Sequence, residues 1–380
     1  MPGNTYKRDQ IFWLVALQTG VFGIFMGGFG PAIPLLQAEQ GTSAAIAGLH
    51  GTALGVASII AGYLNAPLVH RFGRYKCTWL GLAFFNIGAA AFVIFPHPWQ
   101  TIPAMLFAGI GVSTVVNNSF TYLNFHYAKD SARAVSQANG VNSAFFLAGN
   151  FIIGVIAGTT FSWRLGLLVC IPFAITLYFF MGRHHNPEHI PDESGPQSGT
   201  LSRKYWIGWV GLTFAIGAEF AFAYWSSALV HLRTGLTPAR SITLVLGYPF
   251  GMMIGRWFGT YIFPHLTRDR RLIILLSIQF SGFLLVWNSH QLLLSFIGIF
   301  LFGLGTSMQF ALTTLRLLHF GGDKPDLAMG QSSHAAGIAI GGSPFLLGFL
   351  SDQIGISRGF LMVPIAITLA LLVVLLVPSE

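Results

Sequence analysis

Twelve long runs of apolar residues, separated by short polar loops, fill almost the whole of this 380-residue chain. They fall at roughly 10–32, 44–69, 77–95, 101–124, 132–160, 163–181, 205–230, 238–262, 271–288, 291–318, 327–350 and 358–378, each near the ~20 residues that carry an α-helix across a bilayer. The pattern is also written twice. Shifted by 194 residues, the second half meets the first without a gap for most of its length: Gly23 falls on Gly217, Gly41 on Gly235 and Arg74 on Arg268. Gly109, Gly111 and Ser113 fall on Gly303, Gly305 and Ser307, Gln137 on Gln331, Gly154 on Gly348 and Arg164 on Arg358. Each half holds six of the runs. The expected division is therefore an N-terminal unit over 1–181, a linker over 182–204 and a C-terminal unit over 205–380. The linker is the one long polar stretch, rich in Pro, Ser, Gly and charge.

Composition removes the alternative of a soluble protein. Charged residues make up 8% and hydrophobic residues 53% of the chain, against roughly 25% charged in a soluble domain. The 45 glycines suit close helix–helix approach in lipid. The net charge of +8 does not point to nucleic acid once its distribution is read. Alternate loops hold 14 basic residues, among them Lys7, Arg8, Arg71, Arg74, Arg133 and Arg268, while the opposite loops hold only Arg164, Arg233, Arg240 and Arg358. The positive-inside rule then places both termini in the cytoplasm. The first run is long, and no small-residue cleavage site follows it, so it is expected to stay as a helix. Cys77 and Cys170 fall in different runs near opposite faces and imply neither a disulfide nor a metal site.

Several short motifs lie where the repeat demands them. The loop after the second run reads His70-Arg71-Phe72-Gly73-Arg74-Tyr75-Lys76, and a weaker copy, Leu266-Thr267-Arg268-Asp269-Arg270-Arg271, lies one repeat further on. The sixth run opens with Ser162-Trp163-Arg164, and the eleventh holds a Gly/Pro-rich stretch from Gly337 to Gly348. Together these resemble the major facilitator superfamily over essentially the whole chain, with His70 standing where the loop motif usually has an acid. The resemblance implies an all-α integral membrane protein with 12 transmembrane helices in two six-helix bundles, sited in the cell (inner) membrane. It also implies a central cavity lined by spans 1, 4, 7 and 10. The loop residues Arg71, Gly73, Arg74 and Arg268 are expected to act in gating, with Asp130 and Arg133 at the equivalent loop of the fourth span.

Helical spacing picks out polar stripes in the same spans. Gly109, Ser113, Asn117, Phe120 and Asn124 share one face of span 4, and Thr306, Gln309, Thr313 and Arg316 recur at three- and four-residue intervals in span 10. Span 1 offers Gln18, Phe22 and Phe25, and span 7 offers Tyr224 and Trp225. Of these, Gln18, Phe22, Phe25, Asn117, Phe120, Asn124, Tyr224, Trp225, Gln309, Thr313 and Arg316 are the candidate substrate-binding residues; the alternative is that amides and hydroxyls simply join helices by hydrogen bonds. Glu219 lies near the middle of span 7. Ionising a lone carboxyl there costs several kcal/mol, so it is expected to be protonated, paired or facing water. It is the first candidate for proton coupling, with a structural pair to Arg256 as the other reading. His334 stands where the repeat has Gly140 and is the second candidate.

The chain holds no phosphate-binding G-x-x-x-x-G-K-[ST] loop, no H-E-x-x-H and no C-x-x-C, so neither nucleotide hydrolysis nor a metal site is expected. The leading expectation is a secondary active transporter for a small organic solute, not an enzyme, working by alternating access and proton-coupled. An uncoupled facilitator and a non-transporting membrane sensor with the same fold remain open. The expected partners are a small-molecule substrate, protons and membrane lipid, with no nucleic acid, cofactor or metal, and the chain acting as a monomer.

Overall fold

A computed structural model of the chain describes residues 7–183, 199–259, 261 and 265–379. Most of the linker expected at 182–204 lies outside the described residues. Helices account for nearly all of the rest, and no strand occurs among the described residues.

The odd spans are Gln10–Phe29 continuing as Ile33–Gln40 (span 1), Arg74–Ile94 (span 3), Ser131–Ile156 (span 5), Arg203–Thr234 (span 7), Arg268–Asn288 (span 9) and Pro325–Ile354 (span 11). The even spans are Ala44–Phe72 (span 2), Pro98–Tyr127 (span 4), Cys170–Met181 after a 3-10 turn Trp163–Val169 (span 6) and Pro238–Leu244 with Gly247–Phe258 (span 8). Leu292–Thr306 with Gln309–Gly321 (span 10) and Ile356–Gly359 with Met362–Leu376 (span 12) complete the set. Among the described residues ten stretches are long and apolar enough to cross a membrane. One of them, Pro98–Ile156, turns back at Ala128, whose φ of 44° breaks the helix into two spans. Span 8 completes the twelve in two shorter pieces.

Local chemistry explains why the helices start where they do. Ser43 and Thr237, 194 residues apart, each turn a side-chain oxygen onto the backbone N–H three residues on, at Ile46 and Arg240. That satisfies one of the donors a helix start leaves unpaired. Gly41 and Gly235 close spans 1 and 7 in the left-handed region, with φ of 60° and 68°, where a side chain is disfavoured. Spans 3 and 9 begin and end at positions 194 residues apart, and spans 4 and 10 and spans 5 and 11 begin so.

Packing repeats as well. Span 1 packs on span 5 as span 7 does on span 11; span 3 packs on 4 as 9 does on 10. The 1–5 crossing is so close that a methyl at Gly149 would sit 1.8 Å from the Ile24 carbonyl oxygen, and one at Gly27 2.1 Å from that of Phe146. The two bundles meet along two seams, span 2 with span 11 and span 5 with span 8. Spans 1 and 7 meet in their halves remote from the chain termini. There Ser227 Oγ donates to the Pro31 carbonyl at 2.5 Å, and the Phe29 and Tyr224 rings lie 5.7 Å apart.

Candidate functional site

A polar cluster in the interior joins spans 5, 7, 8 and 10. Tyr248 Oη, on span 8, donates to Glu219 Oε1 of span 7 at 3.2 Å. Two turns further along span 8, on the same face, is Arg256. Its Nε donates to the Ser307 carbonyl at 3.2 Å, and its Nη1 donates across the bundle boundary to Ser143 Oγ of span 5 at 2.9 Å. Span 5 answers with Ser136 Oγ, which donates to the Arg256 carbonyl at 2.6 Å. The Arg256 guanidinium acts on Glu219 through space, not through a hydrogen bond. Both side chains lie deep in the protein, and both keep part of their surface accessible.

A broken helix supplies one of the Arg256 partners. Span 10 stops at Thr306 and restarts at Gln309, with Met308 at φ −118° and ψ 1°. In an unbroken helix the Ser307 carbonyl would accept from the N–H four residues on. Here it receives the guanidinium instead. Irregular backbone at membrane depth is tolerated where protein groups re-satisfy it, as Arg256 does here.

The aromatic candidates separate into two groups. Phe25 sits inside the first bundle, 5.5 Å from the Phe85 ring and 5.9 Å from that of Phe92. Phe22 and Gln18 lie along the same face of span 1 and are nearly buried. Tyr224 stands at the junction of the bundles, with Phe29 on one side and Phe220 at 6.4 Å on the other. Its Oη is buried and has no hydrogen-bond partner among the described residues. Trp225 is anchored, its Nε1 donating to the Pro344 carbonyl at 2.9 Å. In span 4, Asn117 and Phe120 are partly accessible and Asn124 is exposed, while Gly109 packs on span 2.

In span 10 the stripe faces several neighbours at once. Gln309 is buried and donates to Gln279 Oε1 of span 9 at 2.7 Å. Thr313 Oγ1 is buried without a partner among the described residues. Arg316 is held away from the centre: its Nε lies 2.6 Å from Asp269 Oδ1, and its Nη2 donates to the Val377 carbonyl at 2.5 Å. Ser379 closes that group by donating its N–H and Oγ to the Asp269 carboxylate.

His334 sits on the seam of spans 2 and 11, 5.8 Å from the Tyr63 ring, with Nδ1 3.3 Å from Gln331 Oε1. Glu219 is two residues along span 7 from Gly217, which faces Ser343. Spans 7 and 11 run parallel, so His334 lies nine residues below Ser343 and Glu219 two above it, and at 1.5 Å per residue the two are roughly 16 Å apart along the membrane normal. The structure does not bring the two proton-coupling candidates together. His50 is a satisfied interior histidine, bonded to the Ala47 carbonyl and to Thr101 Oγ1 at 2.9 and 2.8 Å.

Among the gating candidates, Arg133 reaches the other bundle, its guanidinium 4.7 Å from the Tyr261 ring. Arg71 and Arg74 lie over Phe72 and Phe125 of their own bundle. Arg268 donates to the Leu315 carbonyl at 3.4 Å. Gly73 breaks the chain between spans 2 and 3 at φ 80°, and Asp130 closes the turn into span 5. Sequence reading missed Tyr248 and Ser143. The signal for Tyr248 was present: Tyr248, Met252 and Arg256 follow one another at four-residue intervals on one face.

Comparison with known proteins bears on this architecture. The family model described as Major Facilitator Superfamily matches residues 15–315. The Bacillus subtilis (strain 168) proteins "Uncharacterized MFS-type transporter YfkF" and "Uncharacterized transporter YycB" are each 24% identical to the chain. The first match covers 65% of this chain and 66% of YfkF, just under two thirds of it, and the second 99% of this chain and 94% of YycB. Among solved structures, the nucleoside transporter NupG superposes with a TM-score of 0.76 at 10% identity, covering 97% of this chain and 99% of NupG. The E. coli fucose:proton symporter FucP gives 0.68 at 14%, covering 96% and 98%. The human organic anion transporter MFSD10 gives 0.66 at 16%, covering 96% and 97%. At these identities the likeness is one of fold.

Proposed function

The chain belongs to the Major Facilitator Superfamily, and from that premise we propose that it moves a small organic solute by alternating access, driven by protons taken up at Glu219. The observation that carries the reading is the Glu219–Tyr248–Arg256 cluster. It is deep in the membrane, partly accessible, and tied to the opposite bundle through Ser143. A carboxyl at that depth is costly to leave ionised and unpaired, so its proton content depends on which side it faces. The structural relatives span a nucleoside transporter, a fucose:proton symporter and an organic anion transporter by their own titles, and proton drive is the feature borrowed here from the second.

In this reading the substrate lies between spans 1, 4, 7 and 10, against Gln18, Phe22, Asn117, Phe120, Tyr224 and Thr313. Phe25, Trp225, Gln309 and Arg316 hold the walls. Arg133 with Tyr261 forms part of the gate on the face of the basic loops, which is cytoplasmic and carries both termini. The proton role goes to Glu219 because His334 lies away from the polar cluster. The test is uptake into proteoliposomes under an imposed pH gradient, with a panel of nucleosides, sugars and organic acids. The wild type should accumulate at least one of them, and Glu219→Gln should still exchange it while no longer concentrating it. Accumulation by Glu219→Gln under a pH difference alone would make Glu219 structural.

A further inference from the structure

Arg256 is permanently charged, since a guanidinium does not deprotonate in proteins. Its hydrogen-bond partners, Ser143 Oγ and the Ser307 carbonyl, are both neutral. Among the described residues the carboxyl that acts on it is Glu219, which reaches it through space while taking its hydrogen bond from Tyr248. The cluster therefore holds one fixed positive charge and one carboxyl that can lose its charge. With Glu219 ionised the pair is neutral. With Glu219 protonated the cluster carries a net positive charge deep in the membrane, which is expensive unless an anion enters.

Among the described residues no carboxylate is bonded to Arg256. Span 5 presents Ser136 and Ser143 to Arg256, and its Arg133 is engaged with Tyr261 outside the cluster. Span 10 presents Ser307; its Arg316 is bound to Asp269 of span 9 at the far end. Span 8 itself adds Tyr248. Span 11 carries His334, about three turns from Glu219 along the membrane normal and set on the other seam, against Tyr63 of span 2. Along the partly accessible face, Arg256 lacks a bonded anion, and a planar guanidinium matches a carboxylate in a two-pronged hydrogen bond.

Resting on the proton-coupled reading above, we infer that the transported solute is a small organic monoanion, a carboxylate, which docks on Arg256 in place of Ser143 Oγ as Glu219 takes up a proton. Substrate charge and Glu219 charge then compete for one guanidinium. Binding an anion raises the proton content of the site by one, so affinity rises as pH falls. Because the bond displaced is the one to span 5, loading also loosens the seam between the bundles at that point.

The test is calorimetric titration of the purified full-length protein in two buffers of different ionisation enthalpy, which counts protons bound with the ligand. The probes are lactate, gluconate and hippurate, each beside its uncharged amide. At least one carboxylate should bind with uptake of about one proton, and its amide should bind at least about tenfold more weakly. Arg256→Gln should lose at least about tenfold in carboxylate affinity, with part recovered in Arg256→Lys. Glu219→Gln should still bind the carboxylate, now with no proton uptake, and this variant keeps the inference testable if Arg256→Gln does not fold. Binding of the amide as tightly as the acid, binding without proton uptake in the wild type, or no binding by any of the three carboxylates overturns it. In that event, pH-driven accumulation of a neutral solute in proteoliposomes would leave the transporter reading standing, and its absence would remove both.

Discussion

The seam between spans 2 and 11 can be wedged by a single methyl group. A Cβ at Gly55 would lie 2.4 Å from the Gly337 carbonyl oxygen and 2.6 Å from both Cα and N of Gly341. All three are backbone atoms, so no side chain can rotate out of the way. Ordinary contact begins at 3.4 Å, so in Gly55→Ala the helices must part by about 1 Å. Overpacking of this kind costs about 1–3 kcal/mol. The cost falls only on the arrangement in which the seam is closed. In a protein that alternates between closed and open arrangements, it shifts their ratio by a factor of about 5 to 150. The reporter is a cysteine at Thr52, whose Oγ1 donates to the Gly341 carbonyl across the seam at 2.7 Å, in a background with Cys77 and Cys170 replaced. An impermeant maleimide applied from the side opposite the termini should label it at least about fivefold faster when Gly55→Ala is added. Gly62→Ala, on the same helix but with nothing within 4 Å of the new methyl, should leave the rate unchanged. Equal labelling in Gly55→Ala and its parent, with transport intact, would refute the idea that this seam opens and closes.

The buried Arg316–Asp269 pair at 2.6 Å gives a stability prediction. Asp269→Asn should lower the melting temperature by the equivalent of about 3–5 kcal/mol, because it strands a buried guanidinium, and adding Arg316→Met should recover most of that. A second prediction concerns Asp9, at the start of span 1. Partial burial pushes its carboxyl up, but hydrogen bonds from Tyr127, His126 and the Phe12 N–H hold it below its ordinary value. A depressed folded-state value contributes stability above the ordinary carboxylate range and loses it as pH falls through the folded value. Protection of the amides in the first turn of span 1, measured against their intrinsic exchange rate at each pH, should thus be high at neutral pH and fall on acidification below about pH 4. In Asp9→Asn it should be low at both.

The spans and their repeat were legible because both rest on local rules: apolar length, capping side chains and left-handed glycines recur 194 residues apart. The interruptions were less legible. Span 8, expected whole over 238–262, breaks between Leu244 and Gly247, and Pro249 accounts for part of it, since proline offers no N–H to the Val245 carbonyl. Span 10 breaks at Ser307 and Met308 without a proline, and the carbonyl released is taken by Arg256 from another helix. No local pattern encodes that. Periodicity likewise placed Gln309 and Arg316 on one stripe but could not say what each would meet. Their partners, Gln279 and Asp269, come from span 9. Asp269 reads from sequence as an ordinary first-turn acid.

Where the repeat keeps its symmetry it keeps packing; where it breaks symmetry it gathers charge. Moved back by 194 residues, Glu219 becomes Phe25, Tyr248 becomes Leu54 and Arg256 becomes Gly62. Phe25 lies among the rings of Phe29, Phe85 and Phe92, Leu54 is nearly buried, and a methyl at Gly62 would meet nothing. The break in span 10 has no counterpart either, since span 4 runs unbroken through Ser113. The first half thus offers an aromatic, uncharged wall, and the second holds every ionisable group of the cluster. The two are joined there by Arg256 to Ser143. In the proposed mechanism such asymmetry has a consequence. A proton arriving at Glu219 changes the charge balance around Arg256, and Arg256 is the group that grips the other half. The energy of the seam between spans 5 and 8 then depends directly on protonation and on bound anion. A symmetric pair of charged halves would instead carry two fixed cations in one low-dielectric space, and their repulsion would oppose closure whatever the substrate.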